Sequence, residues 1–377
     1  EFYRRPVVTA SFPDMAILKY EPWPDIEVQE TFLVYSSRVA VIRMWVTNNS
    51  GKPHEVDVYP VMDLDRDSIL VKQFDETHQG YITNRHESLK RLISNLYSKA
   101  GYPTDVRDVF TGNFKTYSYG GYKGNMDDFY NIIKTDFYSE NRSDSLNLFS
   151  DGYVRFIALH GRFNLQPGES ADIRYFRGIQ DQSENLQDLL DEIDGIKDIS
   201  LQSFADQNIN LYKSVPQIAF QSDDEKLAYL GALNLARGCM LPPAGETSHN
   251  FYVFSRNPLW GWGHGHELRH EWLSMLAYAY LDPVSAQGSQ RVYMEQQGED
   301  GLIAYRHGPR GPQTYPHKGM PTTSAPFFSW INWEVYQVSG DEQFLRDTYA
   351  SGTKYVGWLF ENRDVDDDGT FEWGPYG

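Results

Sequence analysis

The sequence predicts a protein of two parts, multi-domain β + α: an N-terminal antiparallel β-sandwich over residues 1–182, a helical linker over 183–221, and a domain of paired helices over 222–377. Three observations predict it. Apolar and polar residues alternate from residue 1 to about 180, with β-branched and aromatic types prominent, which is the period of strands buried on one face. Near Ser183 the period lengthens to that of a helix. Finally, 377 residues exceed what one hydrophobic core commonly serves, so each part is expected to bury its own.

Within the first part, residues 38–47 alternate cleanly, 48–53 supply a cluster of turn residues, and 54–60 resume the alternation, a pattern that reads as a β-hairpin. Residues 153–159 and 171–176 flank the turn 166–169 in the same way. Such pairs build an antiparallel sandwich. Between 84 and 150 a helical-looking run at 88–93 is followed by a Gly- and Tyr-rich stretch at 117–122, and this insertion is given no element.

In the second part the helical signals are local. Ser183 is expected to cap a helix that places Leu186, Leu189, Leu190 and Ile193 on one face. Further helices are expected at about 223–237, 267–281, 284–297, 325–339 and 341–362, with Thr323 and Ser324 as cap-like residues before the fourth. Long loops rich in Gly, Pro and Trp separate them. The repeating unit is a pair of helices, and the absence of a fixed sequence period argues against a solenoid.

Composition narrows the function. A formal net charge of −18 repels phosphate backbones and anionic lipid, so neither nucleic acid nor membrane is an expected partner. No run approaches the ~18 apolar residues of a membrane span, and the opening EFYRRPVVTASF lacks the apolar centre of a secretory signal. The expectation is a secreted or periplasmic protein whose signal has been removed. The single Cys239 excludes an internal disulfide and is read as a core residue. Aromatics reach 15%, with 26 Tyr and 9 Trp, and such rings either fill a core or stack on sugars.

Three segments carry side chains suited to chemistry. The loop 257–271 joins Trp260 and Trp262 to His264, His266, Glu267, His270 and Glu271. Within it His266-Glu267-Leu268-Arg269-His270 matches the zinc motif in which two histidines one helical turn apart hold the metal and the glutamate is the base. A zinc peptidase would need a third ligand, for which Glu295 or Glu299 is nearest in sequence. The same residues also read as histidines hydrogen-bonded at a helix start, or as sugar-binding groups. In the second segment Asp364, Asp366 and Asp368 precede Gly369, the spacing of a calcium loop, with Thr370 and Glu372 available to complete it. The twelfth position is Pro375, so this is no full EF-hand, and an acidic solvated turn is the alternative. In the third, Arg306, His307 and Arg310 offer donors to hydroxyls or a carboxylate, or pin their own loop.

Taken in order, these segments resemble the catalytic domains of glycoside hydrolase family 63 and its relatives, which include processing α-glucosidases and mannosylglycerate hydrolases. The likeness covers about 222–377. It rests on Leu259-Trp260-Gly261-Trp262, Ala279-Tyr280-Leu281-Asp282-Pro283, Glu299-Asp300-Gly301-Leu302-Ile303, the run 325–330, the run 339–345, and Asp364 to Trp373. It implies an (α/α)6 toroid of the six-hairpin glycosidase type, incomplete in this chain, with its active site at the N-termini of the inner helices.

The resemblance further implies an exo-acting glycosidase that inverts α-linked glycosides, takes an oligosaccharide or glycoside substrate, and needs no organic cofactor. One carboxylic acid protonates the leaving oxygen and another carboxylate activates water, with the pair roughly 6.5–9.5 Å apart. Where the family commonly starts its first inner helix with Trp-Asp, this chain has Gly263-His264 and His266-Glu267. Glu267 is therefore nominated for a catalytic role and Glu372 as the acid. Trp260, Trp262 and Trp373 are nominated as stacking platforms, and His264, His266, Arg306, His307 and Arg310 as substrate contacts. Calcium is expected as a structural ion at Asp364, Asp366, Asp368, Thr370 and Glu372. The alternatives are a lyase or phosphorylase on the same toroid, a zinc peptidase, and a carbohydrate-binding scaffold without catalysis.

Overall fold

The computed structural model describes residues 2–63, 69–86, 105–134, 153–254, 265–314 and 319–372. The chain divides into two compact units, Glu1–Ser94 with Pro103–Ser203, and Asn95–Tyr102 with Phe204–Gly377. The helical-looking run at 88–93 lies outside the described residues.

The first unit is built from strands β1 (Arg4–Ser11), β2 (Met15–Glu21), β3 (Ile26–Val34), β4 (Val39–Asn48), β5 (His54–Val58), β6 (Val61–Asp63), β7 (Ile69–Asp75), β8 (Gly80–His86), β9 (Asp105–Gly112), β10 (Ser118–Tyr122), β11 (Tyr153–Val154), β12 (Phe156–Leu165) and β13 (Ser170–Asp181), with helix α1 (Met126–Lys134) between β10 and β11. Nine strands form one antiparallel sheet in the order β1-β2-β3-β4-β13-β9-β8-β7-β11. A second sheet runs β10-β12-β5, and β6 also pairs with β12. Val46 and Ile173 of the first sheet share one apolar core with Val56, Ile157 and Leu159 of the second. The alternation in the sequence is the record of that shared face.

Neither expected hairpin forms. β4 pairs with β3 and β13, whereas β5 pairs with β12, so the turn after Asn48 carries the chain from one sheet to the other. The turn between β12 and β13 crosses back in the same way. Alternation assigns each strand a face but says nothing of its neighbour. The corner is held by Asn48, fully buried, whose amide donates to the carbonyls of Lys52 and Leu165 at 2.9 Å each.

Helix α2 (Leu186–Gly195) buries Leu189, Leu190 and Ile193, the face the sequence predicts. Its cap is Asn185 rather than Ser183, whose hydroxyl donates to Asp181 instead. The helix packs on β13, where a Cβ at Gly178 would come within 2.9 Å of Leu189, so α2 belongs to the sheet unit and is no free linker. Arg174 holds the turn that follows, donating to the carbonyls of Lys197 and Ile199 while its other nitrogens pair with Asp172.

The chain passes to the second unit within α3 (Leu201–Ser214). There follow α4 (Asp223–Gly238), α5 (Leu268–Leu281), α6 (Pro283–Glu295), α7 (Phe328–Ser339) and α8 (Glu342–Arg363), each within a few residues of its predicted span. Local chemistry sets the ends. Ser222 caps α4, Asp282 and Pro283 start α6, Gly340 in the left-handed region (φ 66°) ends α7, and Asp341 caps α8. Thr323 does not cap α7, because its hydroxyl donates to the carbonyl of Ile303. Asp282 alone separates α5 from α6, and Gly340 and Asp341 separate α7 from α8, so each pair folds back as a helical hairpin. Leu268, Met275, Tyr278, Tyr293, Phe328, Ile331 and Tyr355 form the shared core, against which the half-buried Cys239 also packs.

Candidate functional site

The long connections entering α5 and α7 contribute short strands β14 (Met240–Leu241), β15 (Phe251–Tyr252), β16 (His266–Glu267) and β17 (Arg306–His307). β16 and β17 form a two-residue antiparallel ladder that places His266 opposite His307 and Glu267 opposite Arg306. Successive residues of a strand face opposite ways, so the ladder has an imidazole side and an ion-pair side.

On the imidazole side the support is Tyr293 of α6. Its ring stacks on His266 at 4.1 Å and meets His307 edge-on at 5.1 Å. Both histidines are fully buried. Nδ1 of His266 lies 2.8 Å from the carbonyl of Tyr252, and burial lowers its pKa to about 4, so the ring is neutral. Nδ1 of His307 lies 3.2 Å from Oε1 of Gln296.

On the other side Glu267, 1% exposed, accepts from Nε of Arg306 at 3.2 Å, and its second oxygen stands 2.7 Å from Nδ1 of His270. Arg306 lies over the rings of Phe254 and Tyr305, and His270 stacks on Phe254 at 4.8 Å. Burial, with Glu267 next, pushes the Tyr305 phenol up. Four residues along, Glu271 is wholly buried among neutral donors. The Ser289 hydroxyl donates to one oxygen and Nε2 of Gln290 to the other at 2.9 Å. Burial outweighs these bonds and raises its carboxyl to about 7. Two carboxylates four residues apart, one on β16 and one in the first turn of α5, thus stand in opposed environments.

The sequence reading gave no role to Glu271, though it stands in the loop 257–271, and did not name Tyr293. The spacing of Glu271 from Glu267 on an otherwise apolar helix was the available signal. The zinc motif is not presented as a motif. His266 and Glu267 are in β16, the helix starts only at Leu268, and the two histidines share no helical face. Glu295, the nearest third ligand, accepts the N–H of Ser248. His266 and His307 pack on Tyr293, Arg306 pairs with Glu267, and Arg310 is half-buried in the turn after β17. Trp260, Trp262, His264 and Trp373 lie outside the described residues.

After α8 the acidic loop gathers one oxygen each from Asp364, Asp366, Asp368 and Glu372 within 4.8 Å of one another, the only such group of potential metal ligands among the described residues. Asp364 accepts the N–H groups of Asp368 and Gly369, and Glu372 that of Val365. Gly369 turns the chain at φ 82°. The Thr370 hydroxyl donates to Asp368, so it supports the loop rather than joining the four carboxylates.

No protein-family model matches the sequence, and no curated protein matches it. Solved structures resemble its fold. A protein described as a kojibiose phosphorylase from the human microbiome aligns over 91% of this chain and 44% of its own, at 10% identity and a TM-score of 0.50. A bacterial glucoamylase complexed with acarbose aligns over 94% and 58%, at 9% identity and a TM-score of 0.43. An inverting mannosidase of family GH92 from Bacteroides thetaiotaomicron aligns over 94% and 52%, at 11% identity and a TM-score of 0.35. The chain therefore spans less than half of the first protein and little over half of the others. At 10% identity the first likeness concerns fold alone, an antiparallel β-sheet domain followed by helices.

Proposed function

We propose that the helical unit is part of an (α/α)6 toroid of the six-hairpin glycosidase type and that the protein is an exo-acting glycosidase, hydrolysing α-linked glycosides or oligosaccharides with inversion. The observation that carries this reading is the pair Glu267 and Glu271 at the N-terminus of α5, set in opposed environments beside Phe254 and Tyr305. The resemblance to family 63 enzymes adds to it. Glu267 belongs to the catalytic machinery, held by Arg306 and His270.

The test is sugar release from a panel of α- and β-linked disaccharides and uronic-acid oligosaccharides, with the product anomer read by NMR. Hydrolysis with an inverted anomer is expected, and Glu267→Gln is expected to lower turnover by about 10²–10⁴-fold. Silence across the panel would overturn the reading. Release that depends on inorganic phosphate would replace hydrolysis by phosphorolysis, the reading favoured by the fold likeness to a protein described as a phosphorylase.

Glu372 was nominated both as acid and as loop ligand. Its place with the three aspartates favours the loop, and we assign it, with Asp364, Asp366 and Asp368, to a structural Ca²⁺ site. Four carboxylates this close repel one another unless a cation lies between them. At about 1 mM Ca²⁺ the melting temperature is expected to rise by a few degrees over the chelated protein. Coincident melting curves with and without the ion would remove calcium from this loop.

A further inference from the structure

The run 321–324, on the way into α7, is tied to α8 on one side and to the chain leading into β17 on the other. Toward α8, Nη2 of Arg363 donates to the carbonyl of Pro321 at 2.7 Å, and the Tyr355 hydroxyl stands 2.7 Å from both the carbonyl of Ser324 and Oγ1 of Thr323. Toward β17, the Thr323 hydroxyl donates to the carbonyl of Ile303 at 2.5 Å, and the N–H of Tyr305 donates to the carbonyl of Thr322 at 3.2 Å. The Thr323 proton is committed to Ile303, so the Tyr355 hydroxyl is the donor toward Oγ1 and Ser324. Ile303, Thr323, Ser324 and Tyr355 are all buried, so water does not compete for the bonds among them.

Arg306 follows directly on this chain. Its Nε donates to Glu267 at 3.2 Å across the β16–β17 ladder, and its guanidinium lies over the ring of Tyr305 at 5.4 Å. Both contacts depend on where the backbone of 303–305 lies, since Arg306 takes its origin and direction from it. Beyond that point β17 has other anchors: Arg306 bridges to Gln313, and Gln296 bonds His307 and Gly308. The approach to Arg306 is what Thr322 and Thr323 hold. We propose that Thr323 is a positioning residue of the site: through the Ile303 carbonyl it fixes the chain that sets Arg306 against Glu267. Thr323 is 2% exposed and acts through that pair rather than on a substrate. The inference rests on the glycosidase reading, in which a displacement of about 1 Å at a reacting group can cost about 10²-fold.

Two measurements test it. Thr323→Val keeps the shape of the side chain and takes the donor from the Ile303 carbonyl. On whichever glycoside of the panel the wild type cleaves, it is expected to lose about 10–10²-fold in kcat with KM changed little, whereas Thr323→Ser, which keeps the hydroxyl, is expected to stay within about threefold of the wild type. A valine variant with more than about half of the wild-type kcat, or a serine variant as impaired as the valine one, overturns the proposal. The second measurement needs no substrate. Hydrogen exchange read by mass spectrometry is expected to quicken in the peptide 303–307 of the valine variant while α5 and α6 exchange as in the wild type. Exchange that quickens evenly through the helical unit would show that Thr323 serves stability alone, and unchanged exchange at 303–307 would show that it holds nothing there; either result overturns the proposal. Should the valine variant fail to fold, Tyr355→Phe keeps the ring in the core, cuts only the tie to α8, and is expected to quicken the same peptide. If the wild type cleaves no glycoside, the functional reading fails by itself, and the hold of Thr323 on 303–305 stands or falls on the exchange.

Discussion

Tyr293→Ala is expected to lower the stability of the helical unit by about 3–5 kcal/mol, the range for removing a large aromatic side chain from a core. Tyr293 is fully buried and meets three rings, stacking on His266 and standing edge-on to His307 and Phe328. The cavity would open beneath the β16–β17 ladder, so the variant is expected to loosen the Glu267–Arg306 pair on its other side. Tyr293→Phe separates the two contributions. It keeps the ring and loses a buried hydroxyl that makes no hydrogen bond among the described residues, so it is expected to cost little or nothing. Urea denaturation followed by far-ultraviolet circular dichroism measures both. If the alanine variant costs no more than the phenylalanine variant, the ring is not what supports the ladder.

The second large effect is a pH dependence that two buried groups conceal from each other. Burial raises Glu271 from 4.5 to about 7. The unfolded chain releases this proton before the folded protein does, so the contribution is present below about pH 4.5 and is lost as pH rises to about 7. Burial lowers His266 from 6.5 to about 4. Here the unfolded chain takes up the proton first, so the contribution is present above about pH 6.5 and is lost as pH falls to about 4.

Each shift is worth about 3 kcal/mol, and between about pH 4.5 and 6.5 the two slopes oppose and nearly cancel. Glu271→Gln removes one of them. Its stability is expected to climb by about 3 kcal/mol from pH 4 to 6.5, where these two groups leave the wild type nearly flat. Equal pH profiles for the two proteins would show that Glu271 titrates as an exposed carboxylate does.

What could be read in the sequence follows the range of the interactions involved. Helix ends are set within about one turn by caps, a left-handed glycine and a proline at the first position. Ser222, Asp282 with Pro283, Gly340 and Asp341 are such residues, and α4 to α8 lie close to their predicted spans. Ser183 and Thr323 show the limit. Each has the chemistry of a cap, and each hydroxyl found a different acceptor, Asp181 two residues away and Ile303 twenty residues away.

Which face of a strand is buried was also legible, since the period of two is carried by the chain itself. So was the acidic loop, whose four carboxylates fall within nine residues and converge through bonds to their own backbone. The candidate site was legible only in part. The run from His266 to Glu271 stood out by its residue types, but it is divided between a strand and a helix, with His266 and Glu267 buried on opposite sides of the ladder.

The sequence by itself determined the helices and their ends, the faces of the strands and the acidic loop, because those depend on neighbours a few residues apart. Only the tertiary structure decided the rest. Strand partners, the pairing of Glu267 with Arg306 across 39 residues, and the burial of Glu271 beneath Ser289 and Gln290 all depend on contacts between distant segments. A side chain's charge state and reach are set by whatever is packed against it, and no local pattern specifies that.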